Sequence, residues 1–194
     1  VKKFNWRNIE NKLRGREISE LQIGIVGFGR IGNNLYKYFS SMGSKVFFYD
    51  PFLTNQKNTI PRDIRIDKLS KLLKESDLVV TSVTLNESTY KMVNKKFLDR
   101  MKDGAVLVNS SRGDVVDEMA LLNALKTKKL SACALDVISN ENNSNFLVEN
   151  ELIKYAKEND NLIITPHIAG LSSDSETKAQ KAAFKLVLDY LGCQ

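Results

Sequence analysis

The stretch Ile23-Gly24-Ile25-Val26-Gly27-Phe28-Gly29-Arg30-Ile31-Gly32 constrains this chain more than any other. An apolar run ends in G-x-G-x-x-G and a helical pattern begins at once, the order of a strand, a tight turn and a helix. Gly27 allows the turn out of the strand. Gly29 has no Cβ, so the backbone can lie against a pyrophosphate, and Gly32 lets the new helix pack closely on the strand. The helix N-terminus adds unpaired N–H groups and partial positive charge, both suited to phosphate. Three glycines alone also occur in turns that bind nothing. Here a second strand, Lys45–Tyr49, ends in Asp50, which stands 18 residues past Gly32, near the ~20 at which an acid grips an adenosine ribose.

Asp50 also selects the cofactor. A carboxylate accepts hydrogen bonds from two ribose hydroxyls and repels a 2′-phosphate, so NAD is favoured over NADP. Pro51, Phe52 and Leu53 follow, with no arginine before Arg62 to neutralise a phosphate. The competing reading of Asp50 is a turn-forming Asp before proline.

Hydrophobic periodicity places strands at 21–26, 45–49, 78–83, 105–109, 131–135 and 162–165. Helices are predicted at 30–42, from an Asp67 cap through Ser76, at 95–101, 117–127 and 149–158, and at 172–191. Ile64–Ile66 reads as a short edge strand and Gly43 as a helix C-cap. Continuous apolar strands alternating with helices predict an α/β fold, a doubly wound parallel sheet of the dinucleotide-binding type. Such a sheet binds ligands at the carboxyl ends of its strands. Gly27–Gly32, Val83–Thr84, Ser110–Gly113, Asp136 and Pro166–Gly170 all fall there, so the fold predicts their convergence. The division expected is a connecting segment over 1–20, with Trp6 packing it onto the body, a binding domain over 21–171 and a C-terminal helix over 172–194.

Composition bears mainly on what is excluded. The chain has 194 residues, is 42% hydrophobic and carries a formal net charge of +6 from 29 basic and 23 acidic side chains. The basic residues are scattered in short runs such as Lys95/Lys96 and Lys126/Lys128/Lys129, as on solvated faces, so no nucleic-acid partner is expected. Cys133 and Cys193 are too few and too far apart for a zinc site, and no metal is expected. No stretch reads as a signal peptide or a membrane span, which fits a cytoplasmic protein with no membrane partner.

Chemistry-bearing residues cluster at the predicted strand ends. Arg112 lies just past the strand 105–109, where its planar fork suits a carboxylate and an adjacent carbonyl; alone, it would read as a surface arginine. Asp136 ends the next strand and Glu141 follows five residues later. His167, the single histidine, ends the last strand in Thr165-Pro166-His167. A lone histidine is often structural. At a strand end of a dinucleotide-binding sheet it is a candidate acid–base group, and a carboxylate partner would hold its tautomer for proton exchange.

Together Leu21–Gly32 (LQIGIVGFGRIG), Met101–Leu125 (MKDGAVLVNSSRGDVVDEMALLNAL), Ala134–Val137 (ALDV) and Ile164–Gly170 (ITPHIAG) resemble the D-isomer-specific 2-hydroxyacid dehydrogenases, phosphoglycerate dehydrogenase among them. The resemblance implies an NAD-dependent enzyme that moves a hydride between the cofactor and a 2-hydroxy acid/2-keto acid pair, as a homodimer. It implies that Arg112 binds substrate carboxylate and carbonyl, that Glu141 pairs with His167, and that His167 exchanges a proton with the carbonyl oxygen. Arg30 and Ile31 would present the helix N-terminus to the pyrophosphate. Asp136 would hold the nicotinamide end, and Val83, Thr84, Ser110 and Ser111, with Ala169 and Gly170 of the ITPHIAG stretch, would line the cofactor. The chain departs from the family in having Thr84 where proline is common, which would soften that loop, and in lacking the proline that usually follows Glu141. The family also has a substrate domain that neither 1–20 nor the residues after Leu171 can form, so the expectation is a cofactor domain incomplete for catalysis. An alternative on the same fold is a non-catalytic NAD-sensing or interaction module.

Overall fold

A parallel sheet of six strands, in the order β2-β1-β3-β4-β5-β6, organises the described residues. The structure is a computed structural model and describes residues 14–53, 62–141, 143 and 145–192. The expected packing of Trp6, and Cys193, lie outside them. The strands are β1 (Gln22–Val26), β2 (Lys45–Tyr49), β3 (Leu78–Thr81), β4 (Ala105–Asn109), β5 (Leu130–Leu135) and β6 (Leu162–Ile164). The helices are α1 (Arg30–Ser41), α2 (Leu69–Glu75), α3 (Lys95–Arg100), α4 (Glu118–Lys126), α5 (Phe146–Glu149), α6 (Glu151–Glu158) and α7 (Ser173–Leu191).

The sheet is covered on both faces because its strands alternate large apolar side chains to each side. Ile23, Ile25, Val46 and Phe48 are buried in one cluster, against which Leu35, Tyr36 and Phe39 of α1 pack. A larger cluster gathers Leu72 and Leu73 of α2, Phe97 and Leu98 of α3, and Leu121, Leu122 and Leu125 of α4 around Val79 and Leu107. β1 pairs with β2 on one side and with β3 on the other. The chain therefore winds one way from β1 and returns to wind the other, leaving a crevice at the carboxyl ends of β1 and β3.

Several boundaries differ from the sequence expectation. Ile64–Ile66 is no strand: a single turn of 3-10 helix occupies Arg62–Ile64, and the segment meets β2 at Phe48, through the Arg65 bridge and the Ile66 N–H. Asp67 does not cap α2, which begins after Lys68 with no side-chain cap; Asp67 faces Arg65 at 3.5 Å instead. β3 stops at Thr81, short of the expected Val83; the Ser82 N–H still donates to the Val26 carbonyl at 2.8 Å, and its hydroxyl donates to the Gly27 carbonyl at 2.6 Å. The helix expected over 149–158 is α6, which starts two residues later because its N-cap is Asn150, accepting from the Leu152 and Ile153 N–H groups; the short α5 precedes it. The C-cap of α1 is Met42 rather than Gly43, which comes one residue later at φ 86° and turns the chain away. Among the described residues no helix is long and apolar enough to cross a membrane, and no group of His, Cys, Asp and Glu could hold a metal ion.

Candidate active site

The crevice between β1 and β3 opens into a cavity of about 480 Å³ lined by Gly29, Arg30 and Ile31, by Ser82, Val83, Thr84 and Leu85, and by Ser110, Ser111 and Arg112. Two of the motif glycines serve the protein itself. Gly27 sits at φ 90°, and a Cβ there would lie 2.7 Å from the Ser82 carbonyl oxygen; a Cβ on Gly32 would lie 2.3 Å from the Gly27 carbonyl oxygen. Gly29 differs: a Cβ on it would meet nothing within 4 Å. Gly29 is the N-cap of α1, no side chain caps the helix, and no acid stands in its first turn. Open space, uncapped N–H groups and Arg30 make a cradle that fits a pyrophosphate.

A second cavity, of about 470 Å³, adjoins on the β2 side and is lined by Gly27, Tyr49, Asp50, Pro51, Phe52 and the segment that follows β3. The Asp50 Oδ2 accepts the Phe28 N–H at 2.8 Å and its Oδ1 accepts the Phe52 N–H at 3.0 Å. Those two bonds hold the carboxylate in place, and the ~4 acceptor sites of an ionised Asp leave room for two ribose hydroxyls. The loop that lacks proline at 84 is tied by Thr89, whose hydroxyl donates to the Thr84 carbonyl at 2.6 Å.

Asn109 builds the Arg112 turn. It is fully buried. Its Oδ1 accepts the Thr81 hydroxyl at 2.8 Å, the Ser111 hydroxyl at 2.6 Å and the Ser111 N–H at 3.1 Å. Its Nδ2 donates to the Arg112 carbonyl at 3.0 Å. A buried amide engaged at both its oxygen and its nitrogen fixes the loop that follows β4. The exposed Arg112 side chain donates through Nη1 to the Ser111 carbonyl at 2.7 Å.

Glu141 and His167 meet, 26 residues apart in sequence: the His167 Nδ1 lies 2.7 Å from the Glu141 Oε1. The carboxylate can only accept, so Nδ1–H donates and Nε2 is the free ring nitrogen. The His167 side chain is 50% exposed and that of Glu141 28%. The backbone of His167 is at φ 53°, in the left-handed region that non-glycine residues rarely occupy. Asp136 holds it there. Its carbonyl accepts the His167 N–H at 2.8 Å, and its buried carboxylate accepts the Thr165 hydroxyl, the Ile168 N–H at 3.0 Å and the Ala169 N–H at 2.9 Å. Burial pushes the Asp136 pKa up. The Thr165 hydroxyl, the Ala169 and Ile168 N–H groups and the charge of His167 outweigh it, and the carboxyl is held below its ordinary value.

Asp136, expected at the nicotinamide, braces the 165–169 turn with three of its acceptor sites. Ala169 and Gly170 line neither of the two crevice cavities nor the one beside His167; past His167 the chain turns toward α7, and the Ser175 hydroxyl donates to the Gly170 carbonyl at 2.7 Å. Arg112 lines the crevice cavity, whereas Glu141 and His167 line a third one of about 730 Å³ beside β6 and α6. Cys133 is no nucleophile: it is buried, and burial pushes its thiol up, away from the reactive thiolate.

The profile of the D-isomer specific 2-hydroxyacid dehydrogenase NAD-binding domain matches residues 1–169, most of the chain. The chain belongs to the D-isomer specific 2-hydroxyacid dehydrogenase family. The cofactor of this family domain is NAD. Among relatives in the family, a D-3-phosphoglycerate dehydrogenase of Archaeoglobus fulgidus is 32% identical over 176 residues, covering 91% of this chain and 32% of that protein. A hydroxypyruvate reductase of Thermotoga maritima is 30% identical over 192 residues, covering 99% of this chain and 59% of that protein. The structure of a D-lactate dehydrogenase from Lactobacillus jensenii, solved with NAD+, aligns with a TM-score of 0.81 at 29% identity, over 95% of this chain and 57% of that one. The chain thus spans about a third to three-fifths of the length of these relatives.

Sequence reasoning within the family missed Asn109, Thr165 and Thr89 as builders of the site. None carries chemistry by itself. For Asn109 and Thr165 the signal was a polar residue at or just beyond the end of an apolar strand, where a side chain can reach the next loop; Thr89, eight residues past β3, had none.

Proposed function

We propose that this chain is the cofactor half of an oxidoreductase that moves a hydride between NAD(H) and a 2-hydroxy acid/2-keto acid pair. The observation that carries the reading is the His167–Glu141 pair, set on the same carboxyl edge of the sheet as the open glycine cradle. The nicotinamide, when bound, supplies or accepts the hydride. The residues do the rest. Gly29, Arg30 and Ile31 receive the pyrophosphate, and Asp50 takes the ribose hydroxyls and disfavours a 2′-phosphate. Val83, Thr84, Ser110 and Ser111 wall the crevice. In its imidazolium form, with Nδ1–H held by Glu141, His167 hands the Nε2 proton to the carbonyl oxygen during reduction, and as the neutral Nδ1–H tautomer it takes that proton back on Nε2 in oxidation. Arg112 releases the Ser111 carbonyl and clamps the substrate carboxylate with its two-armed fork.

One observation favours a second reading, a non-catalytic NAD-sensing or interaction module: Arg112 and His167 line different cavities. The two separate in a protein in which a family substrate domain is joined to this one, assayed for NADH oxidation with a panel of 2-keto acids. The enzyme reading expects turnover that His167→Ala lowers by ~10²–10⁴-fold, the usual size of acid–base catalysis, with NADH affinity little changed. NADH binding without turnover on any acid favours the module. The reading extends to a homodimer in the cytoplasm. Exposed apolar residues on α7 (Phe184, Leu186, Val187, Tyr190 and Leu191) support a further contact, and the free thiol at Cys133 is in keeping with a reducing compartment. Light scattering on the purified protein tests the first, and a single-copy mass overturns it.

A further inference from the structure

Glu141 projects from a turn with little structure of its own, and its neighbour Asn140 sits at φ 58°. Two residues before Glu141, the Ser139 N–H donates at 2.7 Å to Oε1 of Glu118, in the first turn of α4. The other carboxylate oxygen of Glu118, Oε2, accepts from the Asn150 Nδ2 at 2.7 Å. Asn150 is the N-cap of α6, its own oxygen engaged by the Leu152 and Ile153 N–H groups at 2.8 and 3.2 Å. One carboxylate thus holds both ends of the segment that carries Glu141. The footing of Glu118 is firm, because Asp117 caps α4 through the Ala120 N–H at 3.1 Å. Just upstream, a Cβ on Gly113 would lie 2.1 Å from the Ile138 carbonyl, so the Arg112 turn and the start of the Glu141 segment are in direct contact.

We infer that Glu118 is a positioning residue for the acid–base pair: by clamping Ser139 and Asn150 it sets Glu141 against His167 Nδ1. The inference rests on the proposed pairing of Glu141 with His167. Charge-assisted bonds to a carboxylate are the strong kind, and both oxygens are used, one on the Ser139 N–H and one on the Asn150 amide. Glu118 touches neither cofactor cavity, so it acts only through the turn it fixes.

The chain itself supplies the probe, since His167 is its single histidine. Long-range ¹H–¹⁵N spectra of the labelled protein at alkaline pH contain one imidazole and report which ring nitrogen carries the proton. With Nδ1–H donated to Glu141, the Nδ1 resonance lies in the protonated, pyrrole-type range. Glu118→Gln presents an amide NH₂ to the Asn150 NH₂ and loses that bond. Asn150→Asp keeps the cap but sets a second carboxylate against Glu118. Each single variant is expected to move Nδ1 downfield toward the unprotonated range, in the direction that Glu141→Gln moves it. The double variant Glu118→Gln/Asn150→Asp restores the bond with donor and acceptor exchanged, and it is expected to return the resonance to its original position. Amide shifts of Ile168 and Ala169 that stay in place show that the Asp136-held turn is intact. Two results overturn the proposal: an Nδ1 shift that moves in Glu141→Gln but not in the single variants, or a double variant that stays displaced. An Nδ1 shift unmoved by Glu141→Gln itself overturns the pairing as well.

Discussion

Two glycines three residues apart should respond to one substitution in opposite ways. In Gly32→Ala the new Cβ would sit 2.3 Å from the Gly27 carbonyl oxygen and 3.1 Å from the Ser82 Oγ. Ordinary contact begins near 3.4 Å, so the start of α1 must move about 1 Å from the β1 turn, and overpacking of this kind costs about 1–3 kcal/mol. A chain of this size loses about 2–4 °C in Tm per kcal/mol, so Gly32→Ala should melt roughly 2–12 °C lower. In Gly29→Ala the Cβ meets nothing within 4 Å and the backbone is extended, with φ −72°. The fold should hold, with Tm changed by only a few degrees. The methyl group instead occupies the space kept for the pyrophosphate. Losing one charge-assisted hydrogen bond costs about 1.5–3 kcal/mol, which is roughly 10–100-fold in NADH affinity. Calorimetric titration with NADH and thermal unfolding, run on both variants, form the assay. Gly29→Ala that binds NADH as well as the wild type, or that melts as low as Gly32→Ala, would refute the division of labour within the motif.

Asp136→Asn replaces the acceptor of the Ala169 N–H with a donor, so Tm at neutral pH should fall by roughly 3–12 °C, from about 1.5–3 kcal/mol for a bond to a charged group. The folded carboxyl titrates below its ordinary value, so the wild-type advantage is complete above the unfolded pKa of about 3.9 and fades as pH falls through the folded one. Unfolding curves at neutral and acid pH should show the gap closing, and a gap that widens on acidification would contradict the sign. Asp50→Ala should narrow the preference for NADH over NADPH, chiefly by strengthening NADPH binding once the repulsion is gone; parallel titrations that show the ratio unchanged would remove Asp50 from cofactor choice. His167→Ala should lower turnover of 2-keto acids in the protein carrying a substrate domain, as set out above, and equal turnover would leave His167 without a catalytic part.

Much of the fold was legible because it depends on local patterns. β2 and β4 lie where alternation and apolar runs put them, and α1 begins at Arg30 because the glycine turn dictates it. The errors fell where tertiary contacts override local signals. Asp67 looked like a cap, yet the chain reaches α2 only after the bridge from Arg65 to Phe48, and Asp67 turns to Arg65. Ile64–Ile66 has strand composition, but its contact with β2 is confined to Phe48, through the Arg65 bridge and the Ile66 N–H, so no ladder forms. The Glu141–His167 contact was expected from resemblance; no spacing rule joins residues 26 apart in loops of different strands.

By itself the sequence determined the order of elements, the glycine turn and the acid after β2, because each is written within a few consecutive residues whose backbone preferences are local. It also marked Arg112, Glu141 and His167 as the groups with chemistry to offer. The tertiary structure alone decided how they stand to one another. It turned Asp136 inward to brace the 165–169 turn and set Glu141 on His167 Nδ1. It also folded the Arg112 fork onto the Ser111 carbonyl, in a cavity apart from His167. The reason is physical. A buried polar group must find a partner wherever the packed strands bring one within about 3 Å, and that meeting is settled by the sheet as a whole rather than by any stretch of chain.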